Sequence, residues 1–290
     1  MAEKNDKPQI QTSLMVKGRK TVWHLQQMKD RGEKIVQVCP ANWDSNWTMW
    51  CDQAGVDIVR YTCPGENVED RGNNLIWWTR MIRQHAPFVH LNAVAQTQKV
   101  VEPHAALAYC SMLLADGADS INIMDVKNDM VSYLADNNVS LFCHVGALSG
   151  WQTAKYGGYK RLGQTAEEAF KIYRWAYEYQ ECGMKAMTIE LTPIEVADAI
   201  AKKLTIPVIG VAAGAACDGS ELVIYDMMNM MPNPGVHAKI YGDLPKFATG
   251  VFSAFADDVR SGAYPQPING YAMDPVELEK FMDMLDKDIH

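Results

Sequence analysis

Short runs of β-branched and apolar residues recur along the chain, and a longer stretch with helical spacing follows almost every one of them. Apolar residues in short runs bounded by turn signals predict strands, and apolar positions three and four apart predict amphipathic helices. Seven runs read as strands: KIVQVC from Lys34, DIVRYTC from Asp57, FVHLNAV from Phe88, SINIM from Ser120, SLFCHVG from Ser140, AMTIEL from Ala186 and IPVIGVAAG from Ile206. Between them lie helical segments around Trp47 and Trp50, around Trp77 and Trp78, and from His104, Asn128, Thr165 and Pro193. An eighth strand is expected in VHAKIY, just after Gly235, with ELVIYD from Glu221 assigned to a helix.

The helix ends carry their own signals. Thr165 and Glu168 have the spacing of a capping box, in which hydroxyl and carboxylate each satisfy a free backbone N–H. Thr192, Pro193 and Glu195 repeat that device with proline at the first helical position. Gly55, Gly117 and Gly183 each stand just before a strand, where a left-handed cap closes the preceding helix. Strands alternating with helices of this length imply parallel βαβ units. With no composition break and no Pro- or Ser-rich linker, the units predict one closed (β/α)8 TIM barrel, a single domain over residues 21–265. Residues 1–20 are expected to be a mobile tail and residues 266–290 a C-terminal extension.

Composition narrows the class. The chain has 290 residues, 48% hydrophobic and 21% charged, the balance of a globular protein. No apolar run reaches the roughly 18 residues that a membrane span needs, and the polar start lacks a signal peptide's apolar core. Seven scattered cysteines without a CxxC pair read as reduced thiols, so a cytoplasmic location is expected. A net charge of −8 argues against nucleic acid as a partner but not against a small anionic substrate, which a local cluster of charge can hold. Eight Trp and 17 Met exceed what one barrel core requires, and a homo-oligomer is expected.

A barrel of this type places its chemistry at the carboxyl ends of the strands. Those ends supply Cys39 with Asn42 and Asp44, Thr62 with Cys63, Asn92, Asn122 with Asp125, His144, Glu190, and the AAG at 212–214. Glu190 ends a strand core and precedes a helix start, so its carboxylate should project into the mouth as a general base, its pKa raised by desolvation. A salt bridge to a loop lysine or arginine is the plainer alternative. His144 fits a substrate oxygen or a metal, or a structural hydrogen bond. Cys63 fits a nucleophile or a small turn residue. The segment from His144 to Ala169 is long, polar and Gly-rich, yet it holds Trp151, Tyr156 and Tyr159, as a loop laid over a ligand does.

The residues HVGALSGWQTAKYGGYKRLGQTAEEA, AMTIELTPIEVADAIAKKLTIPVIGVAAGAACDGSELV, and PKF followed by VRSGAYP resemble the ketopantoate hydroxymethyltransferase family. The likeness runs from about Leu25 to Pro265 and is dense from His144 onward. It implies a barrel of the phosphoenolpyruvate mutase and isocitrate lyase type. It also implies transfer of a hydroxymethyl group from methylenetetrahydrofolate to a branched 2-oxo acid that is chelated by a divalent metal, usually Mg²⁺. The family's base falls on Glu190, and His144 and the GGY at 157–159 match as well. Its metal aspartates and carboxylate-binding serine fall on Thr62, Asn92 and Cys63. Its substrate lysine and metal-associated glutamate fall on Asn122 and Met124, and Trp43-Asp44 stands where the family has Tyr-Asp. Asp125, one residue on, is the nearest carboxylate and the one candidate metal ligand, reached only if a bulge turns it inward. With so few oxygen anions, the Mg²⁺ site is expected to be weak, moved or lost.

Three activities follow as expectations. The first is the family's hydroxymethyl transfer with an altered metal shell. The second is another reaction on a related acid (aldol, retro-aldol, decarboxylation or hydrolysis), with Asn92 and Asn122 donating to an enolate oxygen. The third is a silent ligand-binding barrel.

Overall fold

A computed structural model describes residues 18–39, 45–95, 99–148 and 150–288. The expected tail therefore lies almost wholly outside the described residues, as do Asn42, Trp43 and Asp44. The chain runs α1 (Val22–Asp30), β1 (Ile35–Cys39), α2 (Ser45–Gln53), β2 (Ile58–Tyr61), α3 (Val68–His85), β3 (His90–Val94), α4 (Pro103–Ala115), β4 (Ser120–Ile123), α5 (Asn128–Asp136) and β5 (Leu141–Gly146). A 3-10 helix (Gly150–Tyr156) follows, then α6 (Ala166–Glu181), β6 (Ala186–Glu190), α7 (Ile194–Lys203), β7 (Val208–Val211), β8 (Gly219–Val223) and α8 (Ile224–Met227). The eight strands pair in parallel and in sequence order, and β8 closes onto β1 from Ile35↔Gly219 to Cys39↔Val223.

The eighth strand corrects the sequence reading. It is GSELV, not VHAKIY; residues 236–241 form no strand, and Val236 is fully exposed. Only the second half of ELVIYD is helical, as α8. Polarity disguised this strand, because Glu221 points inward to a buried partner and Gly219 lies so close to β1 that a Cβ would strike the Ile35 carbonyl. The other seven strands fall where the apolar runs put them.

Thr165 caps α6 by accepting from Glu168 N at 3.2 Å, and the Glu168 carboxylate accepts from Gln164 N at 3.0 Å. The second capping box does not form. Pro193 is itself the N-cap of α7, and the Thr192 hydroxyl donates to the Glu190 carbonyl at 3.2 Å. Gly55, Gly117 and Gly183 all take positive φ, as left-handed caps require.

Alternation along the strands divides the core in two. Outward residues such as Val59, Leu91, Ile121, Val145 and Ile189 pack beneath the helices. Inside the barrel, Leu25 of α1 meets Ile35, Ile58, Phe142, Ala186 and Ile209, an apolar plug at the amino-terminal end. Nearer the carboxyl ends the interior turns polar, with buried Gln37, Arg60, Asn92, Asn122, His144, Thr188 and Glu221. That polar ring supports the mouth.

The barrel elements through Met227, with Met231–Lys239, form one compact unit; Met228–Met230 and the chain from Ile240 onward form another. The second unit holds α9 (Leu244–Ser261), capped by Asp243, and α10 (Pro275–Lys287), capped by Asp274. Neither helix has a buried residue.

Candidate active site

Two adjacent strands create the centre of the mouth. The β5–β6 register sets His144 beside Thr188 and Gly146 beside Glu190. Gly146 has φ +84°, and a side chain there would collide with the Glu190 carbonyl and crowd Thr192 Oγ1. Glycine thus lets β5 end tightly against the strand that carries the acid. The Glu190 carboxylate, 8% exposed, lies with Oε2 2.7 Å from His144 Nε2, and the Tyr159 hydroxyl donates to Oε1. His144 is fully buried, and its Nδ1 has no partner among the described residues.

The electrostatics of Glu190 differ from the sequence expectation. Burial pushes its carboxyl up, as expected, but His144, the Tyr159 hydroxyl and the Arg60 charge together outweigh burial and leave it below its ordinary value. The acid is therefore an ionised, hydrogen-bonded carboxylate, not a protonated one. Burial and the bond to Glu190 push the Tyr159 phenol up, so it stays a donor.

The remaining sequence candidates separate. Asn122 Nδ2 donates to Asn92 Oδ1 at 3.1 Å, and Asn92 Nδ2 to Ser120 Oγ at 2.7 Å, which joins both to a ladder that ends at His90. Both asparagines are fully buried inside the barrel with these amides engaged, though Asn122 Oδ1 is unpartnered among the described residues. Thr62 follows β2 and is partly exposed. Cys63 belongs to the apolar layer beneath the helices, and burial pushes its thiol up. Cys39, at the end of β1, has a thiol pushed up to about 11 by burial, with the Arg60, Glu221 and Glu190 charges acting on it. Asp125 has a left-handed backbone, φ +56°, and its carboxylate is paired with Lys155 of the 3-10 helix. Among the described residues, no three His, Cys, Asp or Glu side chains group as a metal site.

Sequence reading missed Tyr159 as a partner of Glu190, and it missed the buried trio Gln37, Arg60 and Glu221. An arginine inside the apolar run DIVRYTC was the available signal for the trio, since charge in a strand core needs a buried partner.

Fold and mouth together define a parallel α/β barrel with a buried, hydrogen-bonded carboxylate at the carboxyl end of its sixth strand. Its architecture is similar to that of 2,3-dimethylmalate lyase, a phosphoenolpyruvate mutase/isocitrate lyase superfamily member, with TM-score 0.50 and 12% identity over 87% of this chain and 98% of that one. At that identity the likeness is one of fold. Sequence goes further. A family model described as ketopantoate hydroxymethyltransferase matches residues 19–267. The chain is 31% identical over 285 residues to 3-methyl-2-oxobutanoate hydroxymethyltransferase of Hyperthermus butylicus, covering 92% of this chain and 96% of the relative. It is 28% identical over 284 residues to 3-methyl-2-oxobutanoate hydroxymethyltransferase 1 of Methylibium petroleiphilum, covering 94% and 96%. The chain belongs to the ketopantoate hydroxymethyltransferase family, whose reaction forms a carbon–carbon bond.

Proposed function

We propose that this protein forms a carbon–carbon bond on a small 2-oxo acid through an enolate, with Glu190 as the base. The relatives' shared name supplies the substrate class, 3-methyl-2-oxobutanoate. The observation that carries the reading is the ionised Glu190 carboxylate held between His144 Nε2 and the Tyr159 hydroxyl at the strand ends. Glu190 takes the proton from carbon 3, the C–H electron pair becomes the C2–C3 double bond, and the carbonyl oxygen gains the negative charge. His144 and Tyr159 fix the carboxylate's direction. The enolate carbon then attacks a formaldehyde carbon supplied by the one-carbon donor, for which the family resemblance implies methylenetetrahydrofolate. Water takes the methylene carbon from its two nitrogens, and tetrahydrofolate leaves. As the C–C bond forms, the C=O pair moves to oxygen, which takes a proton and becomes the hydroxyl. The preserved base and partners, with a match along nearly the whole chain, favour this reading over a silent barrel.

The resident metal implied by the family does not fit the described residues. Its places hold Thr62, Asn92 and Met124, and the candidate carboxylate beside them in sequence, Asp125, is already paired with Lys155. Mg²⁺ surrenders its water reluctantly and is held chiefly through carboxylates, so neutral side chains make a weak site. No step above is routed through it. Calorimetric titration is expected to show no tight Mg²⁺ binding, by the wild type or by Asp125→Asn. Tight binding abolished in Asp125→Asn would mean that the site had moved to that carboxylate.

The unpaired thiols of all seven cysteines support a reducing compartment, the cytoplasm, and the unburied faces of α9 and α10 support a homo-oligomer. Among the described residues no helix is long and apolar enough to cross a membrane.

The test is proton exchange. In D₂O without folate, NMR should show the wild type exchanging the carbon-3 hydrogen of 3-methyl-2-oxobutanoate. Glu190→Gln, which keeps the shape and removes the base, should slow exchange by at least about 10²-fold. Exchange at wild-type rate in that variant would remove Glu190 from the mechanism.

A further inference from the structure

The barrel interior contains a charge that the base chemistry leaves unexplained. Arg60 lies on the inward face of β2, two residues before Thr62 and in register with Asn92 of β3. Its Nε donates to Glu221 Oε2 at 2.7 Å, and its Nη2 donates to Glu221 Oε1. Gln37 Nε2 donates to the same Glu221 Oε2. Glu221 therefore occupies one whole edge of the guanidinium, the side-on edge, and Gln37 braces the carboxylate from β1.

The other edge is unused. A guanidinium has five N–H donors in a rigid plane, and the end-on edge, formed by Nη1 and the second hydrogen of Nη2, presents a parallel pair spaced for the two oxygens of a carboxylate. Among the described residues neither donor on that edge has a partner. The Arg60 side chain keeps 10% exposure and that of Glu221 none, so what solvent reaches this pair reaches the arginine. Its charge acts on Glu190, Tyr159 and Cys39, the groups of the mouth. Among the described residues, further interior atoms, including Gln37 Oε1, His90 Nδ1, Asn122 Oδ1 and His144 Nδ1, are buried without a hydrogen bond. Folded interiors seldom leave polar atoms so, unless water or a ligand completes them.

We propose that Arg60 binds the carboxylate of the 2-oxo acid through its end-on edge, with Glu221 and Gln37 as its positioning residues. This rests on the reading of Glu190 as a base acting on such an acid. It also assigns the anion-binding task that Cys63, packed in the outer layer, and the neutral Asn122 do not perform here. Arginine suits the task better than lysine because one planar group can hold Glu221 on one edge and a ligand on the other.

The experiment compares two probes, 3-methyl-2-oxobutanoate and the uncharged ketone 3-methyl-2-butanone, by calorimetry and by carbon-3 exchange in metal-free buffer. The Arg60→Met/Glu221→Leu double variant removes both charges and leaves neither stranded, which favours folding; thermal unfolding checks that it folds. It should bind the acid at least about tenfold more weakly than wild type, while affinity for the ketone, which has no carboxylate for Arg60 to meet, changes far less. Arg60→Lys keeps the charge and loses the two-edged plane, and it too should weaken acid binding. It serves if the double variant unfolds. Wild-type affinity for the acid in either folded variant, or no binding of the acid by the wild type, overturns the proposal. The outcomes separate the two readings. A wild type that binds the acid through Arg60 but never exchanges its proton refutes Glu190 as base and leaves the Arg60 site standing. Exchange that depends on Glu190, with acid affinity indifferent to Arg60, does the reverse.

Discussion

At Glu190 the decisive fact is that burial does not win. Desolvation alone would raise the carboxyl, yet His144, Tyr159 and Arg60 bring it below its ordinary 4.5. A base must be ionised to act, so the acid limb of the rate profile should lie below pH 4.5 and turnover should fall only as pH drops through it. Tyr159→Phe removes one hydrogen bond to the anion, which raises the Glu190 pKa and shifts that limb upward. Exchange rates measured across pH check this, and an unmoved limb in the variant would show that the Tyr159 hydroxyl does not tune the base. The position of Glu190 was legible in the sequence, because a glutamate ending AMTI and preceding a helix start can only emerge at a strand end. Its ionisation was not. That depends on a tyrosine 31 residues away and a histidine one strand over, and sequence spacing does not reveal which loop side chain reaches which acid. Asn92 and Asn122 were legible as inward residues, but the bond between them appears only once β3 and β4 are in register.

Elements whose residues agree with their environment were read correctly, and the element that fills a polar environment was not. Seven strands announce themselves by β-branched runs because helices cover their outer faces. β8 has Glu221 where an apolar residue would signal a strand, and Gly219 where a β-former is usual. Both departures have causes in the neighbours: Arg60 requires the acid, and the closeness of β1 excludes a side chain. The seam between β1 and β8 should therefore be the barrel's most sensitive closure. Gly219→Ala would drive a methyl group into the Ile35 carbonyl and the Ile35 side chain, a backbone clash that rotamer changes cannot relieve. The expected destabilisation is about 1–3 kcal/mol, the usual cost of overpacking. Gly250→Ala, in α9 with nothing near its Cβ, is the control and should be neutral or slightly stabilising. Urea unfolding of the two variants decides it, and a Gly219→Ala protein as stable as wild type would show that the seam opens without cost.

On the scale of the whole molecule, apolar surface points beyond the single chain. α9 and α10 each have a strong apolar side, yet Phe247, Phe252, Phe255, Phe281 and Met284 are all between 46% and 70% exposed. Scattered apolar side chains on a surface need no explanation, but two helices without a buried residue leave out the burial that normally stabilises a helix. Charge does not oppose self-association strongly, since −8 is spread over 290 residues. Identical chains supply the commonest cover for such faces, and closed symmetry then buries every copy of the patch. Sedimentation equilibrium at micromolar concentration should therefore give a mass that is a multiple of 32.4 kDa. Phe252→Lys with Phe255→Glu, charges placed on the exposed side of α9 without changing the net charge, should shift the distribution toward monomer. Each side chain removed from a buried contact forfeits about 2–3 kcal/mol of association, enough to lower the affinity by well over an order of magnitude. A monomeric wild type would overturn this reading of the two faces. An oligomer untouched by the double substitution would place the contact on another surface.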